Sequence, residues 1–196
     1  MGAWSRRFYI AALVAALGLA AWAGEAREPG ASLGQRVAAS ARWYLQNPSS
    51  TTSRQDCSGL VQAVLARAGI RARGGTSNLW RRAKREQRVA EEPQPGDLAF
   101  FDHTYDANEN GRRDDPLSHV AVVVSTLADG TVVMVHRSSG VIRRLRLNLR
   151  HGDQHRHHGR VVNDYLANAT YAGAPSQRLS AQLLRGFARP PTAHTK

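Results

Sequence analysis

A chain of 196 residues holds one compact domain with a leader and is too short for two ordinary domains. Hydrophobic residues at 42% exclude wholesale disorder, and 27 Lys and Arg against 15 Asp and Glu give a formal charge of +12, which favours anionic partners. The single cysteine excludes an internal disulfide and leaves three readings: an inert buried residue, an intermolecular partner, or a reactive group.

The first element is a leader. Arg6 and Arg7 precede an apolar run from Phe8 to Ala23 that ends Ala21-Trp22-Ala23, and no acidic residue comes before Glu25. That order predicts a secretory signal peptide over residues 1–23, cut between Ala23 and Gly24. The run is shorter than the roughly 20 residues of a spanning helix, which argues against a retained anchor. Export, to the periplasm or onward to the cell wall or medium, makes an envelope component a better anionic partner than nucleic acid. Neither nucleic acid binding nor a stable membrane anchor is expected of the mature chain, which is predicted to be monomeric.

Residues 24–32 read as a linker and residues 33–170 as the main domain. Val37, Ala38, Ala41 and Leu45 at helical spacing predict a first helix over 33–46. A Pro/Ser/Thr-rich loop over 47–55 follows. Leu60, Val61, Val64, Leu65 and Ala68 predict a second helix over 57–68, with Asp56 as its cap and Gly69 at its end. Arg81-Arg82-Ala83-Lys84-Arg85 reads as a solvated helix face. Pro93-Gln94-Pro95-Gly96 is a turn before a strand over 97–101. His119–Ser125 and Thr131–Arg137 are β-branched runs joined through Asp129-Gly130, a hairpin, and Val141–Leu147 is a further strand. Residues 171–196 are expected to form a short helix over 180–188 and a tail. Helices followed by an antiparallel meander make the fold class α+β.

Cys57 falls in the first turn of the second helix. The positive end of the helix dipole, helped by a nearby imidazolium, lowers a thiol's pKa, and the unpaired N–H groups of the turn suit an oxyanion. Gly59 is expected to leave the surface beside the thiol open. On the hairpin, a connecting loop of two, four or six residues puts His119 and His136 on one face. His119 is then the candidate general base and His136 the group that orients its ring, a Cys-His-His triad.

Asp56-Cys57-Ser58-Gly59-Leu60, Pro95-Gly96-Asp97-Leu98-Ala99-Phe100-Phe101, Ser118-His119-Val120-Ala121-Val122 and Val135-His136 occur in the order found in the NlpC-type peptidoglycan cysteine peptidases, which the chain resembles over about residues 33–165. The resemblance implies a papain-like α+β fold in which the cysteine helix packs on an antiparallel sheet carrying the histidine. It implies hydrolysis of peptidoglycan stem peptides between D-glutamate and a diamino acid, with Cys57, His119 and His136 as nucleophile, base and third polar residue. It also implies that Tyr44 assists at the oxyanion. The glycine-rich stretch usual after that tyrosine is replaced by Leu45-Gln46-Asn47-Pro48. An amidase or acyl transferase acting on another small amide or lipid, and a non-catalytic wall-binding protein, are the alternatives.

Between Phe101 and His119 the chain reads Asp106-x-Asn108-x-Asn110-Gly111-Arg112-x-Asp114-Asp115. Alternating oxygen side chains before a glycine resemble a calcium loop, with Asp106, Asn108, Asn110, Asp114 and the Arg112 carbonyl as ligands. Leu117 stands where an EF-hand has its glutamate. An Asx-rich surface turn is the other reading of the same residues, and no cofactor is required for the chemistry. His151, His155, His157 and His158 lack a rigid frame and a Cys partner for zinc, so a solvated loop is expected there.

Overall fold

The computed structural model describes residues 30–50, 54–167 and 178–192. The predicted signal peptide and most of the linker lie outside the described residues. Helix α1 (Leu33–Gln46) starts in a capping box: Ser32 Oγ accepts from the Gln35 N–H at 3.2 Å, and Gln35 returns a side-chain oxygen to the Ser32 N–H at 2.7 Å. Its start is pressed onto the Pro95-Gly96 turn. A Cβ on Gly34 would stand 2.5 Å from the Pro95 carbonyl oxygen, and one on Gly96, whose φ is +94°, 2.3 Å from that of Gly34. Helix α2 (Cys57–Arg67) is capped by Asp56, which accepts from the Gly59 N–H at 2.6 Å, and it ends before Gly69 at φ +88°.

Helix α3 (Thr76–Arg85) contains the basic run Arg81–Arg85, where a solvated helix face is expected. Leu79 and Ala83, one turn apart, bury the other side, and Arg82, Lys84 and Arg85 sit in the last turn, where the helix dipole favours cations. Gly75 caps it without a side-chain hydrogen bond, so no start signal is visible in the sequence.

The strands are β1 (Val89–Ala90), β2 (Leu98–Phe101), β3 (His119–Thr126), β4 (Val132–Ser138), β5 (Val141–Leu147), β6 (Arg156–His157), β7 (Arg160–Val161), β8 (Tyr165–Ala167), β9 (Arg178–Leu179) and β10 (Leu184–Ala188). The main sheet runs β1-β10-β2-β3-β4-β5, every pair antiparallel. Leu60, Val64, Phe100, Val122 and Val135 form the core on the helix side. Phe101, Val123, Met134, Leu147 and Phe187 form a second core on the far face. The α+β class is as predicted, and the first two helices, the hairpin and β5 fall within a residue or two of their predicted limits.

The C-terminal prediction is corrected. The helix expected over 180–188 is one turn, α4 (Ser180–Leu183), and the remainder is β10, an interior strand between β1 and β2. Gly186 in the middle weakens a helix, and Phe187 and Ala188 feed opposite cores, which is strand periodicity. A Cβ on Gly186 would meet the Trp80 ring at 3.3 Å. Residues past the strand are fastened too: Arg189 pairs with the buried Asp97.

Candidate active site

The hairpin loop between β3 and β4 has five residues, 127–131, an odd number that by itself would send His119 and His136 to opposite faces. A β-bulge between Val123 and Ser125 supplies the missing step. Before it Thr126 pairs with Val132, and beyond it Val122 pairs with Val135, so His136 stands one place diagonally from His119 on the face of Ala121 and Met134. There His119 Nε2 and His136 Nδ1 are 2.9 Å apart, rings edge to face, each residue only 6% exposed.

Cys57 reaches the start of β3 from the helix layer. Its Sγ lies 3.9 Å from Thr76 Oγ1, at the first turn of α3, and takes the N–H groups of Val120 and Ser58. Val120 follows His119 directly, so the thiol rests against the strand that carries the imidazole. Burial pushes the Cys57 thiol up, and the amides of Val120 and Ser58 and the Thr76 hydroxyl offset part of this. His119 is held well below the ordinary imidazole value by burial and by His136. His136 is pushed down to about 4, first by burial and then by the Arg143 charge. The sequence-based expectation of a thiol lowered by dipole and imidazolium is therefore corrected: burial raises the Cys57 thiol and lowers both imidazoles, which favours their neutral forms.

Gly59 corrects a second expectation. It is buried, and a Cβ there would stand 2.2 Å from the Arg54 carbonyl oxygen, so it admits the preceding loop rather than substrate. Arg137 Nη1 reaches the same Arg54 carbonyl at 3.4 Å, tying the loop before Cys57 to the strand of His136.

The insert before His119 is pinned at its base. Asp102 accepts from the Leu117 N–H at 2.7 Å and pairs with Arg185 of β10, and the Thr104 and Ser118 hydroxyls are 2.8 Å apart. Further out, Asp106 accepts from the N–H groups of Asn110 and Gly111, Asn108 from Asn110, and Asn110 from Arg112. These Asx turns bring the alternating oxygens onto one loop. Among the described residues there is no group of three or more His, Cys, Asp or Glu arranged to hold a metal. His151 and His157 stack at 3.7 Å, with His158 edge-on to His157, and His155 bonds the Asn163 carbonyl at 2.7 Å.

Tyr44 is half-buried against the helix-side core that Cys57 also contacts, its ring edge-on to Trp43. Sequence reasoning missed Thr76 and Tyr105. Tyr105 is half exposed and near enough to Cys57 and Asp56 that their negative charges, after burial, help raise its phenol. Nothing local marks Thr76, 19 residues from the cysteine.

Comparison with curated proteins and with solved structures gives no match. Residues 43–161, more than half the chain, match the model of the NlpC/P60 family. That stretch contains Cys57, Thr76, His119 and His136, and the chain belongs to the NlpC/P60 family of cell-wall cysteine hydrolases.

Proposed function

We propose that the chain is an exported cysteine peptidase that cuts peptidoglycan stem peptides between D-glutamate and a diamino acid, through Cys57, His119 and His136. The observation that carries this reading is the 2.9 Å His119–His136 pair beside a thiol seated on the Val120 amide. With Nε2 of His119 committed to His136, Nδ1 is the nitrogen left to take the thiol proton. Nε2 then bears the hydrogen and donates it to His136 Nδ1, which steadies the imidazolium as it forms.

The sequence of steps follows from those roles. His119 Nδ1 removes the Sγ proton as sulfur attacks the scissile carbonyl carbon. The oxyanion is met by the Cys57 N–H, the first-turn amide not already given to Asp56 or Sγ, with Tyr44 as the further donor that the family resemblance implies. The amine leaves with the proton from His119, giving a thioester. Water then attacks the thioester with His119 again as base, releasing the acid and the free thiol. Burial lets this cycle start from neutral groups, so charge develops only as sulfur attacks and the imidazolium and oxyanion form.

The test is mass spectrometry of defined stem-peptide fragments after incubation with the mature protein. New D-glutamyl carboxyl and diamino-acid amine termini support the proposal. Cleavage of a different amide, or acyl transfer instead of hydrolysis, assigns the same nucleophile to the amidase or transferase reading.

A further inference from the structure

A concavity lies at the other end of β3, five residues or about 17 Å along the strand from His119. Its volume is about 600 Å³, within the range of small-ligand sites. Arg42 and Gln46 of α1, Ser125 of β3, and Arg144 and Arg146 of β5 rim an apolar floor that includes Val124 and Val133.

Three guanidinium groups converge there for a readable reason. Arg144 and Arg146 pair across the ladder with Val135 and Val133, so both side chains stand on the α1 side of the sheet. The bulge turns Val124 and Ser125 to that side together, and the Val124 carbonyl accepts from Arg42 Nη2 at 2.5 Å, fixing one guanidinium over the floor. Arg146 is fixed by Asp164, which accepts from its main-chain N–H at 2.7 Å and from Nη1 at 3.1 Å. Arg144 has no hydrogen bond or ion pair among the described residues and is exposed. Edge strands often carry charge to block pairing, but that purpose needs neither Arg42 from a facing helix nor a concavity.

We infer that this groove binds a phosphate monoester, with the ester's organic part on the Val124–Val133 floor. Three arginines less the charge of Asp164 leave two positive charges, matching the nearly two negative charges of a phosphate monoester at pH 7. Guanidinium forks suit tetrahedral phosphate oxygens, while Gln46 and Ser125 add neutral donors. The site is separate from the thiol and needs no chemistry from it. Its ligand is a free ester or the same group on a lipid headgroup.

The test titrates the mature protein with glycerol 3-phosphate by calorimetry, with glycerol as control. Phosphatidic acid vesicles are compared with phosphatidylcholine vesicles in sedimentation. The ester should bind and glycerol should not. Arg144→Glu and Arg42→Gln should each weaken binding at least about tenfold, the loss expected for one charge-assisted contact. Arg144 lies exposed on an edge strand, so its variants should keep the melting temperature, and Arg144→Gln removes the charge without reversing it. Sedimentation with phosphatidic acid that Arg144→Glu abolishes makes the lipid headgroup the source; calorimetric binding without sedimentation makes it the free ester. No binding at about 50 mM ester, or equal affinity in wild type and both variants, overturns the inference.

Discussion

Acidification should unfold this protein through its own candidate active site. His136 is 6% exposed and titrates at about 4 in the folded chain against 6.5 ordinarily, and His119 too is held well below the ordinary value by burial and by its partner. Between those values the unfolded chain binds protons that the folded chain refuses, so stability rises with pH across the window. The stabilisation from neutral His136 is complete above about pH 6.5 and is lost as pH falls toward 4. A move from 6.5 to about 4 corresponds to roughly 3 kcal/mol, a large share of an ordinary domain's stability. Carboxylates titrate in the same range, so the measurement must be a difference. Urea unfolding of wild type and His136→Asn at intervals from pH 7.5 to 4 isolates it, because Asn keeps an acceptor for His119 and cannot be protonated. The wild-type curve should fall more steeply, by about 3 kcal/mol over the window. Parallel curves would refute the claim that the pair is buried and neutral.

Alkylation of Cys57 by iodoacetamide should accelerate steadily through pH 9, because the thiol starts neutral; a rate already flat at pH 6 would mean a preformed ion pair. Cys57→Ala should be folded and inactive against stem peptides, and full activity in that variant would remove the cysteine mechanism. His119→Ala should lose nearly all activity, typically 10²-fold or more, while His136→Ala loses less and His136→Asn recovers part; equal complete losses would contradict base and orienter roles. Millimolar calcium is expected to raise the melting temperature slightly through Asp106, Asn108, Asn110 and Asp114, and Asp106→Ala to abolish the rise; a flat titration on metal-free protein leaves the loop to its Asx turns.

What was legible in the sequence was whatever local chemistry encodes. The Asp56 cap and the Leu60–Val64 spacing mark α2, and alternation marks β3, β4 and β5. Asp-Cys at a helix start and two histidines on one hairpin were enough to bring the candidate residues to notice. What was not legible depends on contacts far apart along the chain. Thr76 meets Cys57 only because α3 packs where it does, and β10 is a strand because Phe187 and Ala188 are divided between two cores. The thiol's electrostatics were misread for the same reason: a dipole is local, whereas burial is set by the whole domain.

The bulge at Val124 joins these threads. A five-residue loop without it would place His136 on the helix face, away from Ala121 and out of reach of His119 Nε2. A six-residue loop would restore the phase, but the Val124 carbonyl would then remain in the ladder and Arg42 would lose its acceptor. The bulge therefore sets the register of one site and the floor of another. Deleting Val124, the extra residue, should keep Val122 opposite Val135 and leave the histidine pair in phase while removing the Arg42 acceptor, and shortening the loop by one residue with the Thr126–Val132 pair intact should spare both sites. Measuring stem-peptide cleavage and ester binding in both deletions tests this, and loss of cleavage in the Val124 deletion would show that the histidine pair depends on the bulge's local shape and not on register alone.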